Sequence, residues 1–264
     1  MSLDSEKRKE KIKELIEKRG SIAVSELVRI FNVSEVTIRK ELEQLKKEGI
    51  LVRTYGGALK SDIIFPENLQ FKAKLKKNIR EKRIVAEMAI KYIKEGETIF
   101  LDSGTTTLEI AKLICEKNLP VTVITNSLPA INYLVNSSTA QLISLSGFFR
   151  KESFDFYGPF TIEEIKKLSF TGAFIGVDGI SGETGLTTTD VDTARIEEVV
   201  IEKAREINIV VDYSKIGKIS PVPYGEMLKK KKDKRIITDY KASKKEIEKL
   251  KKYGFEIIIG EKND

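Results

Sequence analysis

The chain has 264 residues, of which 47 are Lys or Arg and 40 are Asp or Glu, and it contains one cysteine and no histidine. These counts exclude histidine-based catalysis, His/Cys zinc sites and an internal disulfide. No stretch reaches the roughly 20 apolar residues of a membrane span, and the N-terminus is charged where a signal peptide would be apolar. We therefore expect a cytoplasmic protein with no membrane partner.

The net charge of +7 is unevenly distributed along the chain. Residues 1–85 carry 21 basic and 13 acidic side chains, a balance of +8, whereas residues 86–264 carry 26 and 27. A positive segment beside a neutral one indicates that a polyanion is the partner of that segment alone. The alternative is a solvated, lysine-rich surface. The length of the chain favours two domains.

Two helices are predicted at the N-terminal end. The first spans residues 5–19 and ends at Gly20, and the second spans residues 21–31 and is followed by a tight connection at Asn32 and Val33. The apolar positions of the two helices are Ile12, Leu15, Ile16, Leu27, Val28 and Phe31. A turn of this length before the next helix is typical of helix-turn-helix units.

A third helix, residues 34–49, has the features of a helix that reads DNA. Ser34 is a favourable N-cap and Gly49 is a favourable C-terminal residue. The apolar stripe of the helix consists of Ile38, Leu42 and Leu45. The opposite face carries Glu35, Thr37, Arg39, Lys40, Glu43, Gln44 and Lys47. Such donors, acceptors and cations suit the DNA major groove, although an ordinary amphipathic helix of a small bundle has the same periodicity.

A short β-prone run then meets Gly56 and Gly57, which predicts a hairpin, or wing, and completes a winged helix-turn-helix domain over residues 1–59. Residues 60–75 contain Pro66 and no sustained apolar period, so we predict a linker there. The residues expected nearest to bases and phosphates are Ser34, Glu35, Thr37, Arg39 and Lys40 on the helix and Arg53 and Tyr55 on the wing.

Over residues 76–264, short β-branched runs alternate with helical segments. This alternation predicts a larger α/β domain with a mostly parallel sheet. The predicted strands are residues 98–101, 121–125, 141–145, 173–177, 207–211, 235–238 and 255–259. The predicted helices are residues 77–92, 106–117, 128–135, 162–168, 191–205 and 243–252.

Polar loops follow several of these strands, and ligands of open parallel sheets bind at the carboxyl ends of the strands. The first loop comprises Asp102, Ser103, Gly104, Thr105 and Thr106. Asp102 can accept hydrogen bonds from sugar hydroxyls, and the first-turn N–H groups of the next helix can hold a phosphate. Alternatively, Ser103 and Thr105 only cap the helix and Gly104 only makes the turn.

Similar residue types occur at further strand ends. They are Asn126 and Ser127, Asp178 and Gly179, and Lys215. The Lys215 cation suits a phosphate, and Arg150, in a glycine-containing segment with Gly147, is a second candidate for a phosphate contact. Each residue alone has an ordinary explanation, a turn or a surface salt bridge, but together they predict one effector site.

The chain resembles the DeoR family of bacterial transcription regulators over nearly its whole length. The stretches that carry the resemblance are Val33–Leu42, Arg53–Ala58, Glu81–Ile84, Asp102–Thr106, Thr125–Ser127, Gly176–Ile180 and Asp212–Gly217. The resemblance implies a repressor that binds a double-stranded DNA operator, forms a homo-oligomer (a dimer or tetramer) and senses a phosphorylated sugar or related metabolite. It implies neither catalytic residues nor a metal or other cofactor.

The sensor domain of this family is similar in fold to ribose-phosphate isomerases and CoA transferases, so an enzyme of either kind is the alternative, with Asp102 and Asp178 as possible bases. Tyr55 stands where the family usually has a histidine. Arg195 and Glu197 stand where an acidic residue and a lysine, respectively, are expected. Either the effector is atypical, or these two side chains form a swapped ion pair that leaves the pocket unchanged.

Overall fold

The computed structural model describes residues 4–19, 21–47, 50–53, 56–60 and 69–262. The chain divides into two compact units, Met1–Pro66 and Glu67–Asp264. The elements of the first unit are α1 (Ser5–Arg19), β1 (Ser21–Ala23), α2 (Val24–Phe31), α3 (Glu35–Lys47), β2 (Leu51–Arg53) and β3 (Gly57–Lys60). The predicted helix caps at Gly20 and Gly49 lie outside the described residues.

The apolar periodicity of the three helices forms the core of the first unit. Its buried side chains are Ile12, Ile16, Ile22, Val24, Leu27, Phe31, Ile38, Leu42, Leu45, Leu51 and Ala58. Between α2 and α3, Asn32 takes the left-handed conformation with φ of 51°, and its N–H donates to the Val28 carbonyl oxygen. Asparagine tolerates this conformation, so the chain can turn sharply between the two helices.

The predicted second helix is wrong over its first three residues, which form β1 instead. β1 pairs antiparallel with β3 of the wing, with Ile22 opposite Ala58. A Cβ on Gly57 would lie 2.3 Å from the carbonyl oxygen of Ile22, so only glycine allows this close approach. Burial of Ile22 in the core stabilises the strand pairing, a tertiary effect that helical periodicity does not contain.

A buried ion pair joins α1 to α3. The Arg8 guanidinium donates from Nε to Glu41 Oε2 at 2.8 Å, and Ser5 Oγ donates to Glu41 Oε1 at 2.8 Å. Both Arg8 and Glu41 are buried. Removal of either charge would leave the other uncompensated in the interior, so the pair fixes how the two helices pack.

The second unit alternates helices and strands. Its first elements are α4 (Leu69–Lys76), α5 (Ile79–Ala89), β4 (Thr98–Leu101), α6 (Thr105–Glu116), β5 (Thr122–Thr125), α7 (Leu128–Leu134), β6 (Gln141–Ser144), β7 (Phe148–Arg150) and β8 (Asp155–Tyr157). It continues with α8 (Pro159–Lys167), β9 (Gly172–Ile175), β10 (Gly179–Ser181), β11 (Gly185–Thr188), α9 (Val191–Lys203), β12 (Glu206–Val210), β13 (Val222–Tyr224), β14 (Lys234–Asp239), α10 (Lys244–Lys252) and β15 (Glu256–Gly260). Within the described residues, every helix is too short or too polar to cross a membrane.

A seven-stranded parallel sheet dominates this unit, in the order β15-β14-β12-β9-β4-β5-β6. All seven predicted strands are present, which confirms the predicted α/β class. The sheet is buried on both faces by two apolar clusters, one formed with α5, α6 and α7 and the other with α8, α9 and α10. Coverage of both faces explains why the strands are continuous β-branched runs.

The order of the strands reverses between β4 and β9. From β4 the chain adds β5 and β6 on one side, and it then returns to add β9, β12, β14 and β15 on the other side. In open parallel sheets, such a reversal marks the place where ligands bind, so we call the carboxyl ends of β4 and β9 with their loops the candidate crevice.

Several smaller elements were not predicted. β10, β11 and β13 form an antiparallel sheet, and β7 and β8 form a hairpin. Helix α4 occupies the second half of the segment that we predicted to be a linker. Its Phe71 is buried, with its ring centroid 5.0 Å from that of Phe154. A single aromatic anchor holds this short helix, so the sequence contains no apolar period that would reveal it.

Candidate functional site

The first turn of α3 is built around Ser34. The Thr37 N–H donates to Ser34 Oγ at 3.2 Å, and the two hydroxyl oxygens are 2.9 Å apart. Ser34 therefore acts as the predicted N-cap, and its oxygen satisfies a backbone donor that would otherwise have no partner. This arrangement fixes the start of α3. In helix-turn-helix proteins, residues at the start of the recognition helix contact the DNA bases.

Charged side chains cover the exposed face of α3. Arg39 donates from Nε to Glu35 Oε1 at 2.8 Å, one helical turn away, and Lys40 is exposed. Val36 is 65% exposed and lies off the buried stripe, so sequence analysis could have identified it as an apolar contact for a thymine methyl group. Arg53 lies on β2, and Tyr55 lies outside the described residues, so the predicted roles of both stay predictions.

In the second unit, the Asp102 carboxylate connects the loops that follow β4 and β9. Its Oδ1 accepts from the Gly104 N–H at 2.8 Å and from Thr107 Oγ1 at 2.5 Å, and its Oδ2 accepts from the Gly176 N–H at 2.6 Å. Burial raises the pKa of this carboxyl, and the three hydrogen bonds oppose that shift. Asp102 therefore connects the two loops, and its predicted acceptance of hydrogen bonds from sugar hydroxyls stays a prediction.

The helix that follows Asp102 begins without a side-chain cap. Gly104 is the N-cap residue of α6, and no side-chain cap bonds its first turn. Ser103 instead donates from Oγ to Asp155 Oδ2 at 3.1 Å. The alternative that Ser103 and Thr105 merely cap the helix is therefore wrong, and the N–H groups at the first turn of this 12-residue helix face the crevice as a potential anion site.

Arg150, the predicted phosphate contact, pairs with two carboxylates of the protein. It donates from Nε to Asp155 Oδ1 at 3.0 Å and from Nη2 to Asp155 Oδ2 at 2.7 Å, and it also pairs with Asp190. Burial works against the guanidinium charge, but the two carboxylates raise its pKa above the usual value. An anion would compete with this bidentate pair for the guanidinium, so the role of Arg150 as a phosphate contact stays a prediction.

Four other predicted site residues make contacts within the protein. Asn126 donates from Nδ2 to the Phe156 carbonyl oxygen at 2.9 Å, and Ser127 caps α7. A Cβ on Gly147 would lie 2.3 Å from Thr161 Oγ1, and one on Gly179 would lie 2.3 Å from the Lys218 carbonyl oxygen. Both glycines therefore permit close packing, and their predicted place in the effector site stays a prediction.

A basic group lies at the ends of β9 and β12. Lys215 Nζ is 3.5 Å and Lys74 Nζ is 3.6 Å from Asp178 Oδ1, and the Thr189 N–H donates to Asp178 Oδ2 at 3.1 Å. Burial alone would raise the pKa of Asp178, but Lys74, Lys215 and Thr189 lower it to about 2. Once Lys82 is included, three cations outnumber the one ionised carboxylate, and the net positive charge suits a phosphate.

Lys82 belongs to the same basic group. Its ammonium is buried and donates to the Lys74 carbonyl oxygen. Burial lowers its pKa to about 8. Sequence analysis missed Lys74 because it lies in the predicted linker, and it did not select Lys82 although this lysine is part of a family motif.

The two residues of α9 that depart from the family pattern, Arg195 and Glu197, differ in exposure. Arg195 is 66% exposed at its side chain and lies 3.6 Å from Asp192, whereas Glu197 is buried. They do not form the swapped ion pair that we considered. Burial, followed by the charges of Asp102 and Asp155, raises the pKa of Glu197 well above its usual value. Residue 197 is thus a buried acid near Asp102 and Asp155.

Both units match known protein families. Residues 8–62 match the DeoR-like helix-turn-helix domain, and residues 77–240 match the DeoR C terminal sensor domain. A protein of Escherichia coli O157:H7, named as a candidate transcriptional repressor of the aga operon, is 35% identical over 255 residues, which are 96% of this chain and 93% of that protein. The lactose phosphotransferase system repressor of Staphylococcus epidermidis is 32% identical over 213 residues, which are 80% of this chain and 84% of the repressor.

Among solved structures, the ribose 5-phosphate isomerase A of Methanocaldococcus jannaschii is 24% identical, with a TM-score of 0.39. The match covers 53% of this chain and 55% of the isomerase. Similarity at this level carries no conclusion about activity.

The low pKa of Asp178 predicts a pH-dependent contribution to stability. Because the pKa falls from about 3.9 in the unfolded chain to about 2 in the folded chain, the contribution is present above pH 4 and is lost as the pH falls toward 2. Asp178→Asn should therefore lower the free energy of unfolding by about 1–2 kcal/mol at pH 7 and by less at pH 3. Urea unfolding at several pH values measures this, with Asp192→Asn as the exposed control; a difference that is constant with pH contradicts the assignment.

Proposed function

The chain belongs to the DeoR family of transcriptional regulators, and from this premise we propose that it is a DNA-binding repressor of sugar-utilisation genes whose second unit senses a phosphorylated sugar. The observation that carries the proposal is the combination, in one chain, of an exposed reading helix and a crevice with a basic group. A regulator of this kind acts on DNA in the cytoplasm.

Several features of the first unit support DNA binding. The exposed face of α3 presents Val36, Arg39 and Lys40 beside a capped N-terminus, and the wing brings Arg53 to the same small unit. Glu35 holds the Arg39 guanidinium at 2.6 Å and must release it for a bidentate contact to a guanine or a phosphate. Because Arg39 must first leave Glu35, only a DNA acceptor that binds the guanidinium well can compete for it. This requirement favours specific over non-specific DNA sites.

The crevice at the switch point supports sensing of a phosphorylated ligand. Lys74, Lys82 and Lys215 supply positive charge, and the uncapped start of α6 supplies backbone N–H donors. Phosphate binding at such a place requires no rearrangement of the fold, because the donors already point outward from strand ends. A sugar joined to that phosphate would then extend along the crevice over Asp102 and Asn126.

The enzyme alternative is not favoured. The related proteins with high coverage are named as repressors, and an isomerase has no use for a DNA-reading unit. Asp178, with a pKa of about 2, is a weak base, and the oxygens of Asp102 are occupied by protein donors. Neither carboxylate is therefore suited to remove a proton from a sugar carbon.

The repressor acts as a homo-oligomer in this proposal, with a second copy of the chain on the surface that surrounds the edge strand β6. Phe148 and Phe160 are 56% and 62% exposed, and their ring centroids are 6.0 Å apart. Ile143 on β6 is also exposed. An apolar patch beside an open strand edge is a typical self-association surface, and a two-fold pair can present two reading helices at about 34–36 Å.

The first expected outcome concerns DNA. Arg39→Ala should weaken operator binding on the order of 10-fold to 100-fold, because the variant loses a base or phosphate contact, with little change in stability. The measurement is a gel shift on a fragment that the purified protein selects from a random DNA library. Arg205→Ala, which removes an exposed charge from the second unit, is the control. Unchanged affinity for Arg39→Ala excludes this residue as a DNA contact, and affinity insensitive to salt contradicts phosphate contacts altogether.

The second outcome concerns the effector. In a thermal-shift screen of sugar phosphates, at least one compound should raise the unfolding temperature and change operator affinity, because a ligand specific for the folded state stabilises it. Lys215→Gln should reduce both effects, whereas Lys244→Gln, an exposed lysine on α10, should not. If no sugar phosphate produces either effect while operator binding is intact, the sensing function is wrong.

The third outcome concerns assembly. The double variant Phe148→Ser, Phe160→Ser should sediment as a monomer at concentrations where the unmodified chain is oligomeric, because the apolar contact is lost. Tyr253→Ser changes an aromatic residue of 39% exposure away from this patch and serves as the control. An unmodified chain that is monomeric, or a double variant that stays oligomeric, contradicts the proposed interface.

A further inference from the structure

Glu197 is a buried acid, and one of its two carboxyl oxygens has no hydrogen-bond partner among the described residues. It lies on the inner face of α9 and is 3% exposed. Among the described residues, no donor reaches its Oε2. A buried polar atom without a partner is unfavourable and is rare in native proteins, so this oxygen is a candidate acceptor for a donor of a ligand.

A second buried oxygen without a partner lies near it. The Tyr224 hydroxyl, on β13 beside α9, is buried and accepts or donates no hydrogen bond within the described part of the chain. Burial, followed by the Glu197 charge, raises the pKa of this phenol well above its usual value. Asn126 Oδ1 is a third such acceptor, at the end of β5 in the same row of strand ends.

The charges around Glu197 are unbalanced. Asp102 and Asp155 lie near enough for their charges to raise the pKa of Glu197, and Asp190 lies on the other side of Arg150. Arg150 is the cation of this group, and it is already shared between Asp155 and Asp190. Arg195, which could have compensated Glu197, points outward. This acidic end of the crevice contains Asp102, Asp155, Asp190 and Glu197, and the basic end contains Lys74, Lys82 and Lys215.

A metal ion does not fit the acidic end. In the described residues, Asp, Glu and Cys side chains do not converge in a group of three that could hold one. The carboxylate oxygens of Asp102 and Asp155 are directed at protein donors. A compact cation with several N–H donors suits the acidic end better, and an ammonium group is such a cation.

We propose that the effector is a phosphorylated amino sugar whose ammonium group binds Glu197 and Tyr224 while its phosphate binds the basic end. The proposal rests on the proposed sensing function and narrows its ligand class. The ammonium supplies donors to oxygens that have none, and its charge allows Glu197 to ionise. A neutral sugar phosphate has the same phosphate but leaves Glu197 uncompensated or protonated.

The closing experiment compares matched ligands by calorimetry on the full chain. The pairs are glucosamine 6-phosphate with glucose 6-phosphate, galactosamine 6-phosphate with galactose 6-phosphate, and mannosamine 6-phosphate with mannose 6-phosphate. At least one amino sugar should bind on the order of 10-fold to 100-fold more tightly than its neutral counterpart, since a hydrogen-bonded charge pair is formed. Binding in buffers of different ionisation enthalpy should reveal proton release, because Glu197 ionises when the ammonium arrives.

Variants connect the preference to this residue. Glu197→Gln keeps the size of the side chain and removes its acidity, so it should abolish the preference and the proton release. Glu198→Gln, on the exposed face of α9, should retain both. N-acetylation of the preferred sugar, which removes the ammonium without any change to the protein, should also abolish the preference.

Three results overturn the proposal. Neutral sugar phosphates that bind as tightly as all the amino sugars overturn the ligand class but leave the sensing function intact. An amino-sugar preference that persists in Glu197→Gln overturns the role of this residue. If no phosphorylated sugar of either kind binds while operator binding is normal, both the inference and the sensing function fail.

Discussion

The Asp102 carboxylate is the constraint on which the sensing unit depends. It accepts hydrogen bonds from Gly104 and Gly176, which lie on the two loops that diverge at the reversal of strand order. The hydrogen bonds of the sheet end where β4 and β9 end. Beyond that point, the Asp102 carboxylate holds the two loops at a fixed distance from each other. Since Thr107 also donates to it, the same carboxylate sets where α6 begins and therefore where its N–H groups point. One buried acid thus positions both a loop and an anion site.

Much of the architecture could be predicted, because the strongest signals in the sequence are those of buried regular elements. The five central strands of the parallel sheet are buried and rich in apolar residues, and α3 has a clear stripe at Ile38, Leu42 and Leu45. β1 and α4 could not be predicted, since each is held by a distant contact: Ile22 by the wing, and Phe71 by Phe154. Short elements of this kind depend on tertiary packing more than on propensity.

The site was predictable as a region but not as a set of contacts. Polar residues at strand ends indicated one edge of the sheet as the candidate region, because chain topology brings such ends together. Which side chains are available to a ligand depends on their partners, and these lie elsewhere in the sequence. Arg150 is occupied by Asp155 and Asp190, whereas Lys74 joins the site from a segment without an apolar pattern. In the sequence, Glu197 could be identified only as a departure from a family pattern. The structure adds that its carboxyl group is buried.

The position of α4 links the site to the rest of the chain. Lys74 on this helix contacts Asp178, Lys82 donates to its backbone, and Phe71 packs against the residue that precedes Asp155. A phosphate that attracts Lys74 competes with Asp178, so occupancy of the crevice changes the forces on α4. Only residues 61–68 separate α4 from β3 of the wing. If a ligand changes operator affinity by some factor, thermodynamic reciprocity requires that the operator changes ligand affinity by the same factor, so DNA would in turn act as an effector of the sensing unit.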